Sequence, residues 1–406
     1  MSAEPLPGGG DARRILLARG LRGFADGVAS LLLASHLTWL GYDPFQVGVL
    51  ITATLLGSAA LTLVVGLHGH RWQRRRILLS AAVLMLATGL GFFGLTAFWP
   101  LLVVAFVGTL NPSGGDVSVF LPTEQAALAE TADGTARTAN FARYNIVGSV
   151  CAALGALASG LPAALARWRG QDPAAAHRQG FLVYAVVALL IAALYRGLPA
   201  GEGGGARVAT SLSAASRRRV LELSALFSLD SFAGGFAVQA MVALWLFRRF
   251  ALSVETAGAV FFGAGLLAAT SQLLAPRLAA RIGLLRTMVF THLPANCFLI
   301  LAALMPTAAL AVTCLLVRMS VAQMDVPARQ SYVMAVVAPE ERAAAASVTN
   351  VPRSLASAVA PLLAGAMLDR TTFGWPLVCA GAMKIVYDLL LLWRFRSVVP
   401  PEEQVR

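Results

Sequence analysis

Residues 21–33 read Leu-Arg-Gly-Phe-Ala-Asp-Gly-Val-Ala-Ser-Leu-Leu-Leu, and residues 225–238 read Ala-Leu-Phe-Ser-Leu-Asp-Ser-Phe-Ala-Gly-Gly-Phe-Ala-Val. Each is a largely apolar run interrupted by an aspartate, Asp26 in the first and Asp230 in the second. A carboxylate at membrane depth costs roughly 2.5–3.5 kcal/mol on insertion scales, so ionisable side chains in such runs mark pathways. The two aspartates stand 204 residues apart in a chain of 406. That spacing suggests a duplicated membrane machine with a polar route through it.

Working outward, the whole chain has the composition of a membrane protein. It is 58% hydrophobic and 13% charged, with a mean hydropathy of +0.72, where a soluble chain carries about 25% charged residues. Apolar stretches near the length of a bilayer-spanning helix fall at about 15–40, 46–67, 77–97, 100–121, 141–161, 180–198, 219–246, 255–276, 285–305, 308–330, 345–368 and 374–396. These runs are too long for barrel strands and lack their period-2 alternation. The fold class is therefore all-α: a polytopic membrane protein with twelve transmembrane helices in two pseudo-symmetric six-helix bundles.

The net charge of +12 would suggest nucleic acid in a soluble chain. Here its distribution explains it. With the amino terminus inside, most basic residues fall on the cytoplasmic side, among them Arg13, Arg14, Arg71, Arg74 to Arg76 and Arg217 to Arg219. Arg167, Arg169, Arg178, Arg248, Arg249 and Arg370 fall outside. This is the positive-inside asymmetry, with attraction to anionic lipid as a by-product, so nucleic acid is not an expected partner. Both termini are expected in the cytoplasm and the chain in a plasma (inner) membrane, since its Arg-, Ala- and Gly-rich composition suits a GC-rich bacterial genome. No cleavable signal peptide is read, because the first apolar run is too long for one. The isolated cysteines Cys151, Cys297, Cys314 and Cys379 show no metal-type spacing, and no metal or cofactor is expected.

The expected organisation is a disordered segment at 1–14, a first bundle at 15–198, a Gly/Ser/Ala-rich cytoplasmic linker at 199–218, a second bundle at 219–396 and a tail at 397–406. Further anchors repeat in order. Arg71 and Arg281 are 210 apart, whereas Arg137/Arg342, Asn145/Asn350 and Gly160/Gly365 keep a spacing of 205.

Two sets of six helices with a basic loop after the second resemble the major facilitator superfamily. The loop Gly66-Leu-His-Gly-His70-Arg71-Trp-Gln73-Arg74-Arg75-Arg76 is similar to that family's signature GxxxDRxGRRxxL, matching at Gly66, Arg71, Arg74, Arg75 and Leu78. It departs at His70, where the family has Asp, and at Gln73, where it has Gly. The second copy, Pro276 to Gly283, keeps Arg281 and Gly283. The resemblance implies a cytoplasmic gate at Gly66, His70, Arg71, Arg74, Arg75 and Arg281. Asn145 and Asn350, opening the fifth and eleventh spans, could hydrogen-bond near the same gate.

The resemblance also implies that spans 1, 4, 7 and 10 line a central cavity. Asp26, Asp230, Asp116 and Asp325 are then substrate or proton sites, with Arg318 seeking Asp116, Asp230 or Asp325 as partner. Desolvation favours the protonated form of a buried carboxyl, which suits a proton carrier. Asp116 follows the breaker cluster Asn111-Pro-Ser-Gly-Gly115, so span 4 is expected to bend there. Lys384 and Asp388, four apart, read as a self-neutralising structural pair. Counting the four acids against Arg318 favours a neutral or cationic small-molecule substrate, or proton coupling. The helix 4 arginine and helix 5 Gly-Pro pair of many proton-driven exporters are absent, so import and export both stay open.

The function read from the sequence is secondary active transport by alternating access, proton-coupled, in a protein expected to act as a monomer. An uncoupled facilitator and a transporter-like sensor that binds without flux are the alternatives. No HExxH, GxSxG or Walker loop occurs, so an enzyme is not expected.

Overall fold

The computed structural model describes residues 9–113, 118–129, 131, 134–172, 175–199, 212–338, 341–396 and 398, and among these there is no strand. The chain runs α1 (Gly9–Trp39), α2 (Pro44–His68), α3 (Arg74–Gly94), α4 (Phe98–Val107), α5 (Phe120–Ala129), α6 (Gly134–Ala158), α7 (Leu161–Trp168), α8 (Gln179–Arg196), α9 (Ala214–Gly235), α10 (Gln239–Phe250), α11 (Val254–Ile282), α12 (Leu284–Leu304), α13 (Ala308–Val321), α14 (Asp325–Ala335), α15 (Arg342–Arg370) and α16 (Trp375–Phe395). Ten helical stretches among the described residues are long and apolar enough to cross a membrane by length and composition. The other two expected spans are α1, which carries Arg13, Arg14, Arg19, Arg22 and Asp26, and α4, apolar but only 10 residues long.

Three of the expected spans are interrupted. The fourth stops at Val107 and resumes at Phe120, past the Asn-Pro-Ser-Gly-Gly cluster. The tenth breaks between Val321 and Asp325. Pro122 in α5 and Pro327 in α14 each stand at the third residue of the resumed helix, where a missing N–H costs nothing because the first turn lacks intrahelical acceptors. The seventh span was expected to run on through residues 219–246. It breaks after Gly235, where Phe236 and Ala237 donate tight-turn bonds to Ala233 and Gly234 before Val238 turns extended. Adjacent glycines gain least from helix, so the break falls there.

Two boundaries lie inside segments expected to be irregular. Helix α1 begins at Gly9, with Asp11 in its first turn paired to Arg14 at 3.0 Å, an arrangement favoured by the helix dipole. Helix α9 begins at Ala214, where the Ser213 hydroxyl accepts the Ser216 N–H as an N-cap. Helices α11 and α12 are joined through Gly283 alone, whose φ of +88° is open to glycine without strain.

The chain divides into two compact units: Met1–Tyr42, Ala53–Arg207 and Ser253–Phe262 form one, and Asp43–Thr52, Val208–Leu252 and Gly263–Arg406 the other. Inside the first, α1 packs on α6 and α8, and α3 on α8, α4 and α5. Inside the second, α9 packs on α15 and α16, and α12 on α16, α13 and α14. The partners correspond helix for helix, which is the internal duplication that the 204–205 spacing suggested. Close approach of α1 to α6 depends on Gly23 and Gly27, since a Cβ at either would strike the backbone carbonyl of Gly148 or Ala152. Such small-residue seams let helices pack where lipid supplies no hydrophobic drive.

Candidate functional site

Each unit holds one buried charge cluster joining its first helix to the helix after the break. In the first unit Arg22 of α1 donates to Glu124 of α5, to the Ser118 hydroxyl at 2.9 Å and to the Tyr144 hydroxyl at 3.0 Å. Glu124 also accepts from Tyr144 of α6 and Tyr195 of α8. Arg22 lies over the Phe120 ring at 4.9 Å. Arg22, Glu124, Tyr144 and Tyr195 are essentially inaccessible to water. A buried ion pair is tolerated when further hydrogen bonds satisfy its remaining atoms, and the two tyrosines do that for the carboxylate. Asp26 is buried one turn beyond Arg22 on α1. Asp116 lies outside the described residues.

In the second unit Asp230 of α9 accepts from Lys384 of α16 at 2.5 Å and from Arg329 of α14 at 3.0 Å. Asp325, at the first position of α14, stands 3.4 Å from the same Arg329. Behind Asp230, the His292 ring of α12 bridges two carboxylates. Its Nε2 is 3.8 Å from Asp230 Oδ1, and its Nδ1 is 2.9 Å from Asp388 Oδ1. Asn296 donates to the other oxygen of Asp388 at 3.0 Å. All of these side chains are buried. The cluster thus draws on α9, α12, α14 and α16, tying four helices through charge.

Several expectations change here. Lys384 does not pair with Asp388 along its own helix; it reaches across to Asp230, and Asp388 turns to His292 and Asn296. Arg318, near the end of α13, has no carboxylate within 4 Å among the described residues. Its Nη1 meets the Met319 sulfur at 3.2 Å. Arg353 donates to Ser231 and Asn350. Arg22, Glu124, Arg329 and His292 were not singled out from the sequence. One signal could have found two of them, since Glu124 and Arg329 are 205 apart, the spacing of the other repeat anchors.

Of the expected gate residues, Gly66 ends α2 facing open space, and His70 has its backbone in the short turn Gly69–Arg71. Arg71 and Arg281 are exposed while Arg74 is buried. Arg75 donates to the Leu198 carbonyl at 3.5 Å, and Arg14 donates to the Gly197 carbonyl at 2.6 Å. Both arginines therefore meet the carbonyl end of α8, where the helix dipole favours positive charge. Asn145 and Asn350 are exposed on α6 and α15.

A duplicated, membrane-spanning helical chain with a buried ionic cluster in each copy defines the class of membrane transporters. The family model described as Major Facilitator Superfamily matches residues 15–326, and the chain belongs to that family. A multi-pass membrane protein of this family has a transporter fold and is not an enzyme. It is 24% identical over 413 residues to the uncharacterized membrane protein YJR124C of Saccharomyces cerevisiae, covering 93% of this chain and 92% of that one. Among solved structures, the nucleoside transporter NupG aligns with a TM-score of 0.73 at 14% identity, covering 95% of this chain and 99% of that one. A D-xylose–proton symporter aligns at 0.73 and 16%, covering 96% and 98%. These likenesses carry the fold and no more.

Proposed function

We propose that the chain is a proton-coupled secondary transporter of a small molecule, working by alternating access, with the Asp230 cluster as its coupling element. The observation that carries this is the buried His292 ring set between Asp388 and Asp230. With Nδ1–H donated to Asp388, a neutral ring turns its Nε2 lone pair toward the Asp230 carboxylate. A proton on Nε2 makes both nitrogens donors and adds a cation beside Asp230. Lys384 and Arg329 then share Asp230 with a third positive group, and their hold on α9 weakens. A two-state element biased by one proton is what coupling requires.

The groups around His292 are Asp230 on α9, Asn296 on α12, Asp325 and Arg329 on α14, and Lys384, Tyr387 and Asp388 on α16. Arg318 and Arg353 act on Asp230 and Asp325 electrostatically from α13 and α15. The lean toward a neutral or cationic substrate came from setting four acids against Arg318 alone. The clusters add Arg22, Arg329 and Lys384 on one side and Glu124 and Asp388 on the other, so a count of charges does not by itself set the sign of the substrate. The D-xylose–proton symporter among the structural neighbours is consistent with coupling in this fold. The basic loops support cytoplasmic termini, the Arg-, Ala- and Gly-rich composition supports an inner membrane, and the Arg71–Arg75 loop serves as a cytoplasmic gate in a protein that acts as a monomer.

The test is accumulation in proteoliposomes under an imposed pH gradient, with a substrate found by thermal-shift screening. Asp230→Asn and His292→Gln are expected to lower gradient-driven accumulation about tenfold or more while exchange without a gradient persists. Undiminished accumulation in both variants would overturn the coupling role of this cluster, and wild-type transport indifferent to the pH gradient would establish an uncoupled facilitator instead. Ligand binding with no flux under any condition would establish a sensor.

A further inference from the structure

We infer that Arg318 is the anchor for an acidic group on the substrate, so that the transported molecule is an organic anion with a single carboxylate or equivalent group. This rests on the transport reading above and names the class of its cargo.

Arg318 lies near the middle of the apolar stretch Ala308–Ala335. A guanidinium offers five N–H donors, and at membrane depth it needs a carboxylate or water to meet them. Among the described residues Arg318 has one polar partner, the sulfur of its neighbour Met319, a weak acceptor. Its Nε is buried with no acceptor. The carboxylates of the same unit are already engaged: Asp230 with Lys384 and Arg329, Asp325 with Arg329, and Asp388 with His292. Asp230 and Asp325 act on Arg318 from beyond ion-pairing distance, so its guanidinium N–H groups are left without a carboxylate acceptor among the described residues.

Its position suits a ligand. Four residues on, the helix breaks at Ala322, and the chain is irregular from there to Met324. Gln323 in that break accepts from Gln272 of α11 at 3.4 Å, setting an amide pair near the guanidinium along the chain. Arginine binds carboxylates in a planar, two-point fashion that lysine cannot copy. A guanidinium whose N–H donors lack a carboxylate acceptor fits one acidic group better than an amine.

The experiment uses the full-length protein in detergent and the thermal shift produced by matched pairs: benzoate against benzamide, nicotinate against nicotinamide, and lactate against lactamide, with choline as the cation. Acids are expected to raise the melting temperature while amides and choline do not. Arg318→Gln is expected to weaken the binding of an effective acid about 10- to 100-fold, as for loss of charge-assisted hydrogen bonds. Arg318→Lys should retain part of the effect, and it serves if the Gln variant fails to accumulate. Stabilisation by amides or choline equal to that by acids, or by acids undiminished in both variants, would overturn the assignment.

If no acid in the panel shifts the wild type, the unliganded proteins decide. Arg318 is half-buried, with its Nε shut from water and without an acceptor, a cost that glutamine would lower, so Arg318→Gln should then melt higher than wild type; an equal or lower melting point overturns the inference. Arg318-dependent acid binding without flux in proteoliposomes would instead sink the transport reading and leave Arg318 standing as an acid-binding site. Flux of neutral solutes or amines indifferent to Arg318 would do the reverse.

Discussion

Arg22–Glu124 and Asp230–Arg329 are the same connection with the charges exchanged. In the first unit the base is on the first helix and the acid after the break, and in the second the order is reversed. Their surroundings set their roles apart. Glu124 is closed off by Arg22 and two tyrosine hydroxyls, whereas Asp230 shares its charge among groups that include a titratable histidine. Glu124→Gln keeps shape but leaves Arg22 an uncompensated buried charge. It is expected to cost about 3–5 kcal/mol of stability, read by thermal or denaturant unfolding in detergent. Asp230 was visible in the sequence because an acid in an apolar run stands out. Glu124 was hidden because the fourth span, read as one helix ending at 121, put it in a cytoplasmic loop. Lys384 and Asp388 misled for another reason: four-residue spacing permits a pair along one helix face, but stronger partners on α9 and α12 were out of sequence sight.

At the scale of elements, helix existence followed from hydropathy, and the breaks from proline and glycine only in part. The breaks in spans 4 and 10 are signalled by Asn-Pro-Ser-Gly-Gly and by Pro327. The break after Gly235 carries a weaker signal, since a glycine pair inside an apolar run is also compatible with a close helix contact. Gly235 does face the Ser357 carbonyl of α15. On α1, Gly27 has no room for a side chain against Ala152 and Ala156, while a Cβ at Gly66 meets nothing within 4 Å. Gly27→Val is therefore expected to destabilise the protein by about 1–3 kcal/mol or more through forced separation of α1 and α6. Gly66→Ala should be neutral or mildly stabilising through helix propensity. Melting temperatures of the two variants, compared in one detergent, check the contrast.

At the scale of the molecule, the duplication legible in widely spaced anchors reappears as matched helix pairings inside each unit, and the family match places the chain among known transporter folds. The two copies have diverged in chemistry more than in packing. One carries a charge cluster sealed by tyrosines, and the other a cluster with a histidine set between two carboxylates. Sequence alone could locate that division only roughly, because the partners of Asp230 come from other helices, His292 62 residues away, Arg329 99 and Lys384 154. The central claim is that substrate movement and proton movement are one event centred on Asp230. The most direct measurement is the internal pH of proteoliposomes, followed with a trapped pH-sensitive dye as substrate is added without any imposed gradient. The account predicts a substrate-dependent pH change in the wild type, absent from Asp230→Asn although that variant still binds substrate. Substrate flux with no pH change, or a pH change that persists undiminished in Asp230→Asn, would contradict it.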